Sequence, residues 1–175
     1  MGTAVWIVVR AFLELASGKR GPQDIPASHA LFVLTYVFYM AVTASLTAVA
    51  ADWPTAGKSA LVDAVVLPVF VVTVLWLRNF TERCLQTLTA MAGIGALFSL
   101  AAIPPFLITA GMPGSALSAL ASVLVLALFI WNVLVLGHIL RNALALAFPA
   151  GVLVALAYVA VSMAAAELLV PEVLT

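Results

Sequence analysis

From Ala30 to Val170 the chain consists of apolar runs at about 30–51, 59–77, 84–110, 116–140 and 142–170, separated by short polar connectors. Each run approaches or exceeds the ~20 residues that a helix needs to cross a ~30 Å hydrocarbon layer. Lipid offers the backbone no hydrogen-bond partners, so a spanning segment must be a helix or part of a closed barrel. Period-2 alternation is absent and alanine and leucine dominate, which selects helices. Composition points the same way: 66% of residues are hydrophobic and 8% are charged, where a soluble domain carries about 25% charged residues. Such a chain cannot clothe itself in polar surface, so lipid must be its solvent. The expectation is an all-α polytopic membrane bundle of five transmembrane helices, forming a single membrane domain over residues 1–175.

The segment before these runs differs in kind. In TAVWIVVRAFLELA, Arg10 and Glu14 are one helical turn apart and can pair, while Trp6, Val9, Phe12 and Leu13 fall on another face. An arginine in mid-span is costly, so residues 3–16 are expected to form an amphipathic helix lying in the interface. Residues 17–29 follow as a cytoplasmic loop broken by Gly18, Gly21, Pro22 and Pro26. The opening MGTAVW has no basic stretch and carries Trp6 where a myristoylation signal has Ser or Thr, so neither cleavage nor lipidation is expected there.

Charge sets the topology. With five spans, Arg10, Lys19, Arg20, Arg78, Arg83 and Arg141 fall on one side and Lys58 alone on the other, out of seven basic residues. The positive-inside rule makes the basic side cytoplasmic, giving a cytoplasmic amino terminus and a periplasmic carboxyl terminus in an inner membrane. Arg78 and Arg83, in the RNFTER connector, are topological anchors in this reading, with Arg78 placed to pair with Glu82. Basic and acidic residues balance at a net charge of zero, which offers nothing to a nucleic acid.

Asp63 is the carboxylate that falls within a span, and an ionisable group there suggests a proton or cation path; its closeness to Lys58 places it at the outer interface. Gln86, Thr87, Thr89 and Asn132 are candidate intramembrane polar groups, either lining a path or bonding between helices. Lys19, Arg20, Arg78 and Arg83 are candidate cytoplasmic contacts, the first two with anionic headgroups. His29 and His138 lack ligand spacing, so no metal is expected, and no cofactor. Cys84, the single cysteine, rules out an internal disulfide. Small residues at four-residue spacing, Gly95 and Ser99 in the third run and Ala143, Ala147, Gly151 and Ala155 in the fifth, are expected to pack helices closely. Pro68, Pro104, Pro105 and Pro149 predict kinks. From Arg83 and from Arg141, a glycine follows at the same distance, Gly93 and Gly151, a faint internal echo.

The layout resembles the Yip family of small polytopic membrane proteins and its bacterial relatives. The resemblance is carried by GPQDIPAS after an amphipathic opening, by RCLQTLTAMAGIGALFSLAAIPP and by ALAYVAVSMAAAELLVPE. It implies five packed spans, a cytoplasmic amino terminus and an outward carboxyl end, and it supplies no catalytic motif. The sequence therefore reads first as a non-enzymatic scaffold, assembly factor or accessory subunit, with the bilayer and another membrane protein or a second copy as partners. The other reading is a small oligomeric transporter or channel using Asp63 and Asn132.

Overall fold

The computed structural model describes residues 2–171, with side chains from Trp6 onward. Its helices are α1 (Gly2–Ala16), α2 (His29–Thr47), α3 (Trp53–Leu77), α4 (Cys84–Gly111), α5 (Ala116–Leu144) and α6 (Phe148–Leu169), with single 3-10 turns at Pro22–Asp24 and Thr81–Arg83. The five from α2 to α6 are long and apolar enough to cross a membrane. Such a bundle suits a multi-pass membrane protein.

Local chemistry explains most boundaries. Ser28 Oγ accepts from the Leu31 amide at 3.3 Å to start α2, and Ser115 Oγ accepts from Ser118 at 3.0 Å to start α5. α3 begins at Trp53, six residues before the apolar run does, so most of DWPTAGK is helix rather than connector. Pro54 lies in that first turn, where its missing N–H costs nothing. Pro149 occupies the same place in α6 and starts that helix instead of kinking it. α2 ends earlier than its apolar run, at Thr47.

The last connector also lies elsewhere than the sequence suggests. Arg141 and Asn142 belong to the final turn of α5, which ends where Ala145 turns left-handed at φ 53° and Leu146 N–H bonds to the Arg141 carbonyl at 2.8 Å. Asn79, at φ 58°, ends α3 in the same manner, with Phe80 N–H on the Leu75 carbonyl. The expected small-residue ladder is therefore split. Ala143 is on α5, exposed Ala147 is the residue before α6, and Gly151 and Ala155 are buried on α6. Ala147 thus packs no helix, and the echo between Arg83 and Arg141 loses its structural counterpart, since Arg83 precedes a helix and Arg141 ends one.

These five helices close into a ring, α2–α4–α5–α6–α3 and back to α2, with α4 also touching α3. α4 is the most enclosed, with Thr87 to Ile94 buried without interruption. Glycine permits the closest approaches: a Cβ at Gly151 would lie 2.4 Å from the Gly137 carbonyl oxygen across the α5–α6 hairpin. α1 lies on the outside of this ring against α4 and α5. Its Phe12 ring fills the space over Gly93, Leu15 and Ala16 are buried, and Trp131 Nε1 donates to the Ala16 carbonyl at 3.1 Å. Arg10 and Glu14 pair at 2.8 Å, as their spacing suggests.

Candidate functional site

The site begins with a proline. Pro68 has no N–H, so the Ala64 carbonyl one turn earlier loses its helical donor. Tyr36 of α2 replaces it, donating its hydroxyl to that oxygen. One turn along α2, Tyr39 donates to Oδ2 of Asp63. Its ring has room because position 95 on α4 is glycine: a Cβ there would meet the Tyr39 ring at 2.6 Å. From α6, the Tyr158 and Ser162 hydroxyls approach Oδ1 of Asp63 at 3.4 and 3.5 Å, at the outer limit of hydrogen bonding. The chain has three tyrosines, and all three converge on Asp63 or its neighbour Ala64.

The expectation for Asp63 rests on a helix that starts near Lys58, and the helix starts earlier. Because α3 starts at Trp53, the carboxylate is ten residues, or about 15 Å of helix rise, from the helix start. Side chains of α2 and α6 enclose it, and its hydrogen-bond partners among the described residues are hydroxyls.

A cavity of about 290 Å³ opens from Asp63 into the middle of the ring and is lined by all five spans. Asn132 of α5 lies on its wall, so the two intramembrane polar residues that the sequence singles out face one space. Gly95 and Ser99 line it too, which makes their stripe on α4 a cavity wall as well as a packing face. Phe98, Phe106 and Phe129 also line it. Hydroxyls elsewhere in these helices bond back to the preceding turn, as Thr73 does to Val69 at 2.7 Å. Thr43 Oγ1, on the cavity wall, is buried with no partner, and neither Ser99 nor Asn132 makes a side-chain hydrogen bond among the described residues.

Gln86 does not belong to this site. Its amide donates to the Ile25 carbonyl at 3.0 Å and the Gln23 carbonyl at 3.4 Å, clasping the Pro22–Asp24 turn to α4. Thr89 bonds back to Leu85 at 2.7 Å, while Thr87, fully buried, has no partner for its hydroxyl. Arg83 Nη1 donates to the carbonyls of Asn142 and Ala143 at 3.3 and 3.1 Å, and Arg78 Nη2 to Leu144 at 3.4 Å. Both arginines thus cap the end of α5, and Glu82 stands 3.9 Å from Arg83 rather than pairing with Arg78. Arg141 stacks over Phe148 at 5.7 Å.

Arg20 pairs with Glu14 at 2.5 Å and its carbonyl meets His138 Nε2 at 2.9 Å, so the loop is fastened to α5. Lys19 is left exposed. The hydrogen bond from Arg10, seconded by the charge of Arg20, holds the Glu14 carboxyl below its ordinary value. No cluster of three metal-ligating side chains exists among the described residues, and His138 is engaged with Arg20 and Asn142.

Tyr36, Tyr39, Tyr158 and Ser162 are the site residues that sequence reasoning missed. The available signal was the scarcity of hydrogen-bonding groups in these runs, which makes every tyrosine a candidate partner for the lone carboxylate. No family model, curated protein or solved structure matches the chain.

Proposed function

We propose that this is a small transporter or channel in which Asp63 holds a proton or a cation and exchanges one for the other. The observation that carries the reading is the shared cavity: the carboxylate and Asn132 face the same central space, with partnerless Thr43 beside them. An ionisable residue that faces a bundle interior is the usual mark of an ion or substrate path. A carboxyl bonded by neutral hydroxyls has room for one positive charge, and a proton and a cation compete for that place. The chemistry is binding and exchange, with no covalent step.

In this reading the end that carries Arg20, Arg78, Arg83 and Arg141 faces the cytoplasm of a bacterium, and the opposite end, with Lys58 and Glu167, faces the periplasm. The basic asymmetry supports that orientation in an inner membrane. The Yip-like layout remains a proposal supported by the same run of helices and connectors.

The test is transport by the full chain in proteoliposomes loaded with a pH indicator, under imposed gradients of sodium, potassium or a small organic ammonium. Cation-driven proton movement that is lost in Asp63→Asn, while the variant keeps its helicity and elution volume, supports the proposal. Movement that ignores Asp63 sinks it.

A second reading, a scaffold or accessory subunit, draws on one observation. Trp6, Ile7 and Leu13 are exposed on α1 next to exposed Lys19, on a helix already fixed to the bundle by Phe12 and Leu15. Such a face suits headgroups or a partner helix. Stoichiometric co-purification of a second membrane protein, abolished by Trp6→Ser with Leu13→Ser, would favour it.

A further inference from the structure

Resting on the reading of Asp63 as a cation site, we infer that its occupant is a small organic amine bearing an aromatic or branched apolar body, bound as the ammonium ion. The cavity is unsuited to a bare inorganic cation. A desolvated metal ion calls for about six or more oxygen ligands around it, whereas the wall presents one carboxylate and scattered neutral groups among aromatic rings. A primary ammonium needs less: three acceptors for three N–H groups.

Acceptors for it line the cavity. Asp63 Oδ1 receives only the long contacts from Tyr158 and Ser162, so it retains capacity for a charge-assisted hydrogen bond. Thr43 lines this cavity and a smaller one that also reaches Asp63; its Oγ1 is buried without a partner, and a turn about χ1 presents it to a ligand. The Asn132 side chain, on the α5 wall of the cavity, has no hydrogen bond among the described residues, so it is free for a polar group elsewhere on the ligand. A buried polar atom left unpaired costs free energy, and a ligand N–H recovers it.

The rest of the wall selects the body. Phe98, Phe106 and Phe129, with Leu128, form an apolar surface beside the carboxylate, and aromatic faces also attract ammonium charge. A volume of about 290 Å³ sits at the lower end of the ~300–1,000 Å³ typical of small-molecule sites, which fits an amine with a single ring. Sites of this composition use polar groups for orientation and apolar area for affinity.

The experiment is equilibrium binding to the full chain in detergent, by calorimetry, with 2-phenylethylammonium as the probe and 2-phenylethanol as its uncharged counterpart. The inference expects saturable binding of the amine, at least about tenfold tighter than the alcohol, the factor that one charge-assisted hydrogen bond supplies. Asp63→Asn should erase that preference. Phe129→Ala, at a half-exposed position, should weaken both probes alike, and it serves if the Asp63 variant does not fold. Equal binding of alcohol and amine overturns the inference. Asp63-dependent proton release by sodium, without amine binding, overturns it too while leaving the exchange reading intact. Absence of both responses overturns the inference and the exchange reading together.

Discussion

Tyr36 of α2 donates its hydroxyl to the carbonyl of Ala64 on α3, the carbonyl that Pro68 deprives of its helical partner. A proline that the sequence offers as a kink is instead built into a contact between helices, one residue from Asp63. Removing that hydroxyl leaves a half-buried carbonyl without a donor, so Tyr36→Phe should cost about 1–2 kcal/mol. In a Pro68→Ala background the helix regains its own N–H, and Tyr36→Phe should then cost under about 0.5 kcal/mol. Unfolding of the four proteins in detergent measures the coupling, and additive losses would contradict the assignment.

Gly151 and Gly93 are both tightly covered, by different things. A Cβ at Gly151 meets the backbone oxygen of Gly137 at 2.4 Å, whereas at Gly93 it meets the Phe12 ring, which can swing away. Gly151→Ala should therefore cost about 1–3 kcal/mol of bundle stability through overpacking. Gly93→Ala should leave the bundle intact and release α1, seen as faster proteolysis in residues 2–25 with an unchanged melting temperature. The reverse pattern would show that α1 is integral to the bundle and that the α5–α6 contact has slack.

Arg83 tests whether the arginines of the RNFTER connector serve only topology. Lysine preserves the charge, but its ammonium sits on a flexible stem and lacks the fixed guanidinium plane that aims Nη1 at both carbonyls. Since Arg83 is partly exposed and bonds Asn142 and Ala143, Arg83→Lys should lose about 1 kcal/mol while keeping the orientation of the chain. Equal stability of the lysine variant and the native protein would leave only the topological role.

Glu14 predicts a pH dependence with a definite sign. Its carboxyl is held below its ordinary value of 4.5 by the Arg10 hydrogen bond and by Arg20. The folded state therefore binds the Glu14 proton less readily than the unfolded state. The stabilisation is complete above the ordinary value and fades as pH falls through the lower folded value. The gap in melting temperature between the native protein and Glu14→Gln should be present at about pH 6 and close towards about pH 3. A gap that widens on acidification would contradict the pairing.

The helical class and five helices long and apolar enough to cross a membrane were legible because hydropathy over twenty residues is a long, redundant signal. Boundaries were less so. Apolar character stops at Lys58, but helix geometry continues back to Trp53, since Pro54 is harmless in a first turn. Arg141 similarly ends an apolar run without ending α5. Those shifts matter to the site, because six further residues on α3 move Asp63 from the rim of its helix to ten residues inside it. Asp63 and Asn132 were legible as rare polar groups, whereas their meeting on one cavity depends on the order of helices around the ring, which no local pattern encodes. Tyrosine hides in an apolar run because most of its side chain is apolar, and only the hydroxyl reveals a role once its partner is known.

The most direct measurement is proton release from the purified protein in weakly buffered detergent, read with a pH indicator as a cation is added. Exchange at Asp63 predicts release of up to one proton per chain from the native protein, saturating with cation concentration, and none from Asp63→Asn. Release that is unchanged in the variant, or no release across sodium, potassium and 2-phenylethylammonium, would contradict cation–proton exchange at Asp63.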